Sequence, residues 1–427
     1  MEAVTGPTAQ QQRVLLVAGA AGVLVAFASG APWRASRFPV RGTLSRPPNS
    51  WTATRPSEQE PSGLKISAGL QPTGWVREPG QVASSGNWPL TNVISNQRGL
   101  APGTRLDSRH LAVVINSADP LSEAIGRYYV RARQIAPEQV IRVRFVPGRS
   151  SLSVAEFRRI RRQVERQTPE RVQAYALAWA SPWRVGCQSI TSAFSFGYRA
   201  EVCSGSCGTA SISPYFARGD VKRPWDELRL RPSMLLAATT AAAGRSLIDR
   251  GVAADGTRPP GTVYLLSTSD SLRNVRSDHF GAVAFALGRR LRVRVLWSDV
   301  LIGAPDVIAY FTGLTNVPSI ESNHYRPGAV ADQLTSSSGM LTGPSGRSLD
   351  GGNGQMSALR WLEAGVTGSY GTVVEPCNSP AKFPDPGLLL TYYRRGDTLI
   401  ESYWRSVAMP DQGVFIGEPL ARPWGRR

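Results

Sequence analysis

Short runs of aliphatic and β-branched residues alternate along the chain with longer segments whose apolar positions recur every three or four residues. In HLAVVINSADP (110–120), Val113 to Ile115 form an apolar run closed by turn residues, which predicts a buried strand. The segment that follows carries Ser122 as an N-cap candidate and an apolar face at Ile125, Tyr128 or Tyr129, and Ala132, which is helical spacing. QVIRVRFV (139–146) predicts a second strand. In EFRRIRRQVERQ (156–167), Phe157, Ile160 and Val164 fall on one helical face with arginines around the rest. VQAYALAWASPW (172–183) reads as a central strand. After residue 230 the alternation resumes, with SMLLAATTAAAGRSLIDRG (233–251) as a helix, TVYLLSTSD (262–270) as a strand and turn, and HFGAVAFALGRRL (279–291) as a helix. RVRVLWSD (292–299) and DVIAYFTG (306–313) predict strands, and ESNHYRPGAVADQLTSSSG (321–339) a loop. ALRWLEAGV (358–366) is a helix feeding the strand in GSYGTVVEPC (368–377). TLIESYWRSV (398–407) and GVFIGEPLARP (413–423) close the chain as a helix and a strand. This alternation predicts an α/β domain with a mostly parallel sheet and helices on both of its faces.

The same pattern sets boundaries. Residues 31–105 are rich in Pro, Ser, Thr and Arg with few core formers, and read as a largely disordered linker. A single folded domain is expected over 106–424, with an irregular insertion at about 184–230 that holds three of the four cysteines. Ahead of the linker, VLLVAGAAGVLVAF (14–27) follows Arg13 and precedes the small residues ASGA (28–31), the arrangement of a secretory signal. Residues 1–30 therefore predict a cleaved signal peptide, or an uncleaved anchor tethering the chain through 14–27. Either places the domain outside the cytoplasm, in the periplasm or at the cell surface.

Export changes how charge and cysteine are read. The 427-residue chain has 49 basic and 31 acidic residues, a formal net charge of +18. Only Lys65, Lys222 and Lys382 are lysines, so arginine supplies nearly all the cations, a skew that a GC-rich genome produces by itself. The basic residues are scattered and no nucleic-acid motif accompanies them, so nucleic acid is not an expected partner. Cys187, Cys203, Cys207 and Cys377, an even number in an oxidising compartment, predict two disulfides with three possible connectivities. Their spacing lacks the second close pair or neighbouring histidine of a zinc site, and no metal or cofactor is expected.

Candidate chemistry belongs at the C-terminal ends of the strands, where open α/β sheets bind ligands. The ligand-binding candidates are Asn116 and Ser117, Thr312 and Gly313, Tyr370, and Glu418. Ser267, Ser269 and Asp270 end another strand. Glu375 and Cys377, with His324 or Asp332 assisting, are the catalytic candidates: a thiolate or a general acid/base needs such a partner. The usual motifs fail. A nucleophile elbow would need glycine where Thr367 stands, and no phosphate loop, dinucleotide fingerprint or HExxH occurs. The choice at Cys377 is between a nucleophile and a disulfide that staples the insertion.

LAVVINSADPLSEAIGRYYVRAR, HYRPGAVADQLTSSSG, ALRWLEAGVTGSYGTVVEPCNSPAKFPDP and GVFIGEPLARP together resemble a family of exported bacterial proteins found in species that carry exosortase, over about residues 110–424. That resemblance implies a context, not a reaction. The chain carries no Pro-Glu-Pro sorting tail, so an exosortase substrate is not implied. At the level of fold the chain also resembles the caspase-like proteases of the gingipain kind. Thr312-Gly313-Leu314 stands at the histidine motif, Thr335-Ser336 at the cysteine strand, and FIGEP (415–419) at the terminal Gly-Asp-Pro. Neither catalytic residue is present at those positions. The expectation is an exported envelope protein with a caspase-like architecture and no protease activity. It would bind a peptide, a glycan or another envelope protein as an accessory of exosortase-type surface-protein systems. The competing expectation is a hydrolase with a rearranged site at the strand ends.

Overall fold

A computed structural model describes residues 106–204, 207–208, 210–343, 346 and 354–425. The expected signal or anchor and the linker lie outside those residues.

The domain is an α/β sandwich around a ten-stranded sheet. In chain order it comprises β1 (Leu111–Asn116), α1 (Pro120–Arg133), β2 (Val140–Val143), β3 (Ser151–Leu152), α2 (Val154–Gln167), β4 (Ala174–Leu177), β5 (Arg184–Val185), β6 (Gln188–Ser189), α3 (Ile190–Phe196), α4 (Pro224–Leu228), β7 (Ser233–Leu235) and α5 (Ala241–Ala254). Then come β8 (Thr262–Ser267), α6 (Phe280–Leu287), β9 (Arg292–Trp297), β10 (Val307–Thr312), β11 (Tyr325–Gln333), α7 (Leu359–Glu363), β12 (Gly368–Thr372), α8 (Pro386–Arg394), α9 (Leu399–Ser406) and β13 (Gly413–Gly417). The large sheet has the order β2-β1-β4-β7-β13-β12-β11-β10-β8-β9, and β3, β5 and β6 form a small second sheet.

Helices cover both faces, as the alternation predicts. Ile125 and Tyr129 of α1, Ile248 of α5 and Phe280 of α6 pack on one side. Phe157, Ile160 and Val164 of α2 and Phe194 of α3 pack on the other. Tyr129, not Tyr128, is the inward residue of α1; the Tyr128 hydroxyl instead donates to Asp249 at 2.7 Å. The central strands are buried along their whole length, so they read as continuous apolar runs rather than alternating ones.

Four expectations need correction. α1 is capped by Asp119, whose side chain accepts the Leu121 amide, and Ser122 instead lies buried within the helix. Ser233–Leu235 is a strand, and the helix begins only at Ala241, capped by the Thr240 hydroxyl. Residues 321–339 are not a loop, because Tyr325–Gln333 is a full strand beside β10. The insertion is not irregular throughout, since it contains α3 and α4.

One strand runs against the rest. β13 pairs antiparallel with β12 through five positions. Its single bridge to β7, Ile416 beside Leu235, has the parallel pattern. The strand's direction is nevertheless fixed by where its end lies. Glu418 receives two hydrogen bonds from Arg133, in the last turn of α1, and crowds Gly251 near the end of α5. Those helix ends lie where the parallel strands begin, so β13 delivers Glu418 to that edge.

Candidate functional site

The C-terminal ends of β8, β10, β11 and β12 make one continuous edge, and its polar residues are joined. Arg273, just past β8, donates from Nε to the Thr335 hydroxyl at 3.0 Å and from Nη1 to Asp270 at 2.9 Å. Thr335 donates to Gln355 at 2.8 Å, and the same Gln355 oxygen accepts the Ser337 amide at 2.7 Å. The Thr372 hydroxyl, at the end of β12, reaches the carbonyls of Thr335 and Ser336. Nη2 of Arg273 is not bonded within the described residues, and the side chain is 21% exposed. A guanidinium held in this way offers a fixed donor to a carbonyl or carboxylate. Close backbone contact needs glycine here: a side chain at Gly313 would strike the Arg273 carbonyl, and one at Gly371 would strike Ser338.

Beyond β12 the chain turns at Cys377 and Asn378, both at positive φ. The Glu375 carboxylate closes that turn by accepting the Cys377 amide at 2.7 Å. Cys377 is bonded to Cys207, and Cys187 to Cys203. The bridge to Cys207 ties the strand end to the insertion. Lys382 and Gln412 both donate to the Cys207 carbonyl and fix the other side of the bridge. Burial pulls the Lys382 ammonium below its ordinary pKa, and Glu375 opposes that shift.

Asp332 lies beneath the edge, wholly buried against Arg276 at 2.6 Å. Burial pushes its carboxyl above the usual range, and the guanidinium pulls it back. Arg276 also donates to the carbonyls of Thr312 and Pro384, so this pair locks β10, β11 and the segment before α8 together. Asp332 has no path to a ligand in this arrangement. Tyr370 is buried and donates to the Lys382 carbonyl, and Thr312 is 1% exposed.

The predicted residues do not converge. His324 precedes β11, exposed at the edge where β10 and β11 begin. Nine strand residues separate it from the opposite edge, about 30 Å at ~3.3 Å per residue, so it cannot serve as a base for Cys377. Glu418 sits at the edge where His324 lies, held by Arg133 and fully buried. Asn116 and Ser117 are at the C-terminal edge, but their side chains stitch β1 to β2: Asn116 bonds both the amide and the carbonyl of Phe145, and Ser117 the carbonyl of Val143. Arg273 and Gln355 were missed. The only signal for Arg273 was its place after the Ser269–Asp270 turn, and Gln355 carries none, because a long connection brings it back. Among the described residues no group of three or more His, Cys, Asp or Glu side chains could hold a metal ion, and no helix is long and apolar enough to cross a membrane.

No family model, curated protein or solved structure matches the chain.

Proposed function

We propose that this is an exported envelope protein that binds a peptide, glycan or protein partner at the edge formed by β8, β10, β11 and β12, without cleaving it. The observation that supports this is the state of Cys377: bonded to Cys207, it carries no thiolate, and the nearby carboxylate of Glu375 is engaged by its own turn. Arg273, held in place by the buried Thr335 hydroxyl, and the half-buried Ser336 and Ser337 make the edge a rim of donors and acceptors suited to amide or sugar hydroxyl groups. Two disulfides point to an oxidising environment, in keeping with export. The role we assign is accessory to exosortase-type surface-protein systems, on the resemblance described above. The test is peptide mapping of the exported protein, alkylated and digested without reductant. Bridged Cys207–Cys377 and Cys187–Cys203 peptides are expected, with no peptide hydrolysis before or after mild reduction. A readily alkylated Cys377, with hydrolysis abolished by Cys377→Ser, would establish the hydrolase reading instead.

A further inference from the structure

The sheet ends at β9, and no described strand pairs with its outer side. The Ser298 amide donates inward to Ser267 at 2.9 Å. In a parallel ladder, residues two apart face the same way, so Arg292, Arg294 and Leu296 direct their amides and carbonyls to β8, and Val293, Val295 and Trp297 direct theirs outward. Three donor–acceptor sets are thus presented in a row over a six-residue strand. Side chains beside them are open too: Trp297 is 87% exposed and Val295 39%. Natural edge strands are normally short, covered or twisted away; this one has charge on one face only. That charge is basic. Arg292 and Arg294 project to the face opposite α6, and Arg289 and Arg290 lie exposed just before the strand. The one ion pair on the strand among the described residues, Arg292 with Asp306, leaves Arg292 68% exposed.

We infer that β9 is a docking strand for an extended acidic segment of another protein, added as an eleventh strand. Backbone pairing to Val293, Val295 and Trp297 would supply the affinity and the side faces the selectivity. The partner would alternate carboxylates, lying against Arg292 and Arg294, with apolar residues lying against Val295 and Trp297. A second copy of this chain fits less well, because β9 carries arginines and no carboxylate, so two such strands side by side bring like charges together and leave Arg294 without an acidic partner. The surface is separate from the Arg273 edge and does not depend on that reading.

The test measures anisotropy of a fluorescein-labelled, end-capped hexapeptide of alternating Glu and Val, titrated with the full chain. Saturable binding is expected, at least tenfold weaker for the Lys-Val analogue. Val295→Pro removes an outward amide that makes no bond to β8, and is expected to weaken binding at least tenfold while circular dichroism is unchanged. Arg294→Glu leaves the backbone intact and is expected to reverse the preference between the two peptides. No binding, equal binding of both peptides, or undiminished binding by folded Val295→Pro together with Arg294→Glu would overturn the inference. So would concentration-dependent dimerisation that Val295→Pro abolishes while the Glu-Val peptide shows no saturable binding, which would assign the strand to a second copy.

Discussion

The two ends of the sheet are built differently. At one end β2 is covered: α2 packs on it with Phe157, Ile160 and Val164 fully buried, and side chains of that helix cap carbonyls in the strand and just past it, Gln163 donating to Arg142 at 2.9 Å and Arg159 to Arg144 at 3.4 Å. At the other end β9 has a helix on one face only, and its outward amides and carbonyls meet no partner among the described residues. Both strands are rich in arginine and valine, so composition does not separate them. The difference is that α2 carries polar side chains long enough to reach over the strand edge, whereas α6, FGAVAFAL, has none. An edge that is neither paired nor capped is either a hazard or a contact surface.

Mutations at the two ends should therefore differ sharply. The largest effect is expected at the covered end. Phe157→Ala, which empties a buried ring that packs edge-on against Phe194 at 5.3 Å, should cost about 3–5 kcal/mol in a urea unfolding curve. Phe285→Ser at the bare end, where the ring is 87% exposed, should change stability by about 0.5 kcal/mol or less. Equal losses would erase the comparison.

The bare end is backed from behind, and pH can probe that support. α6 packs against α8, whose N-cap is Asp385, bonded to the Leu388 amide at 2.7 Å. Burial raises the Asp385 carboxyl from 3.8 to about 6. In the folded state it therefore holds its proton at a pH where the unfolded chain has released it. Its contribution to stability is complete below about pH 4 and is lost as pH rises to about 6, roughly 3 kcal/mol at ~1.4 kcal/mol per pKa unit. Asp385→Asn keeps the cap. The difference in unfolding free energy between variant and parent should grow in favour of Asn between pH 4 and 6 and then level off. A flat difference would remove Asp385 from this account.

Smaller effects sharpen the edge argument itself. Gln163→Ala uncaps the Arg142 carbonyl and should cost about 0.5–1 kcal/mol, since that group then falls to water. Val295→Pro should cost no more than about 1 kcal/mol, because the amide it deletes is unused in the domain. A proline at Leu265, inside β8, should cost ~3 kcal/mol or more. A large loss from Val295→Pro would mean that β9 is already paired.

Much of the fold was legible. Buried strands such as Leu111–Asn116 and Val307–Thr312, and amphipathic helices such as Val154–Gln167, follow from runs and periods that neighbouring residues set among themselves. β11 was misread because its first residues, Tyr325, Arg326 and Pro327, look like a turn, and only pairing with β10 extends the strand through them. The three-residue β7 was absorbed into the helix after it for the same reason: its strand character comes from β4 and β13 on either side. The site was less legible than the fold. Strand ends could be listed, but not the edge of the sheet that each one occupies.

The sequence by itself determined the α/β class, most element positions and the expectation of two disulfides, because these depend on local patterning and on a count of thiols. The tertiary structure decided the rest. It chose Cys207 as the partner of Cys377, sent Glu418 and His324 to the edge opposite Arg273, and left β9 bare. Those outcomes depend on the order and direction of strands far apart in the chain. One reversed strand, β13, carries Glu418 to the other edge without changing anything that its neighbours in sequence could report.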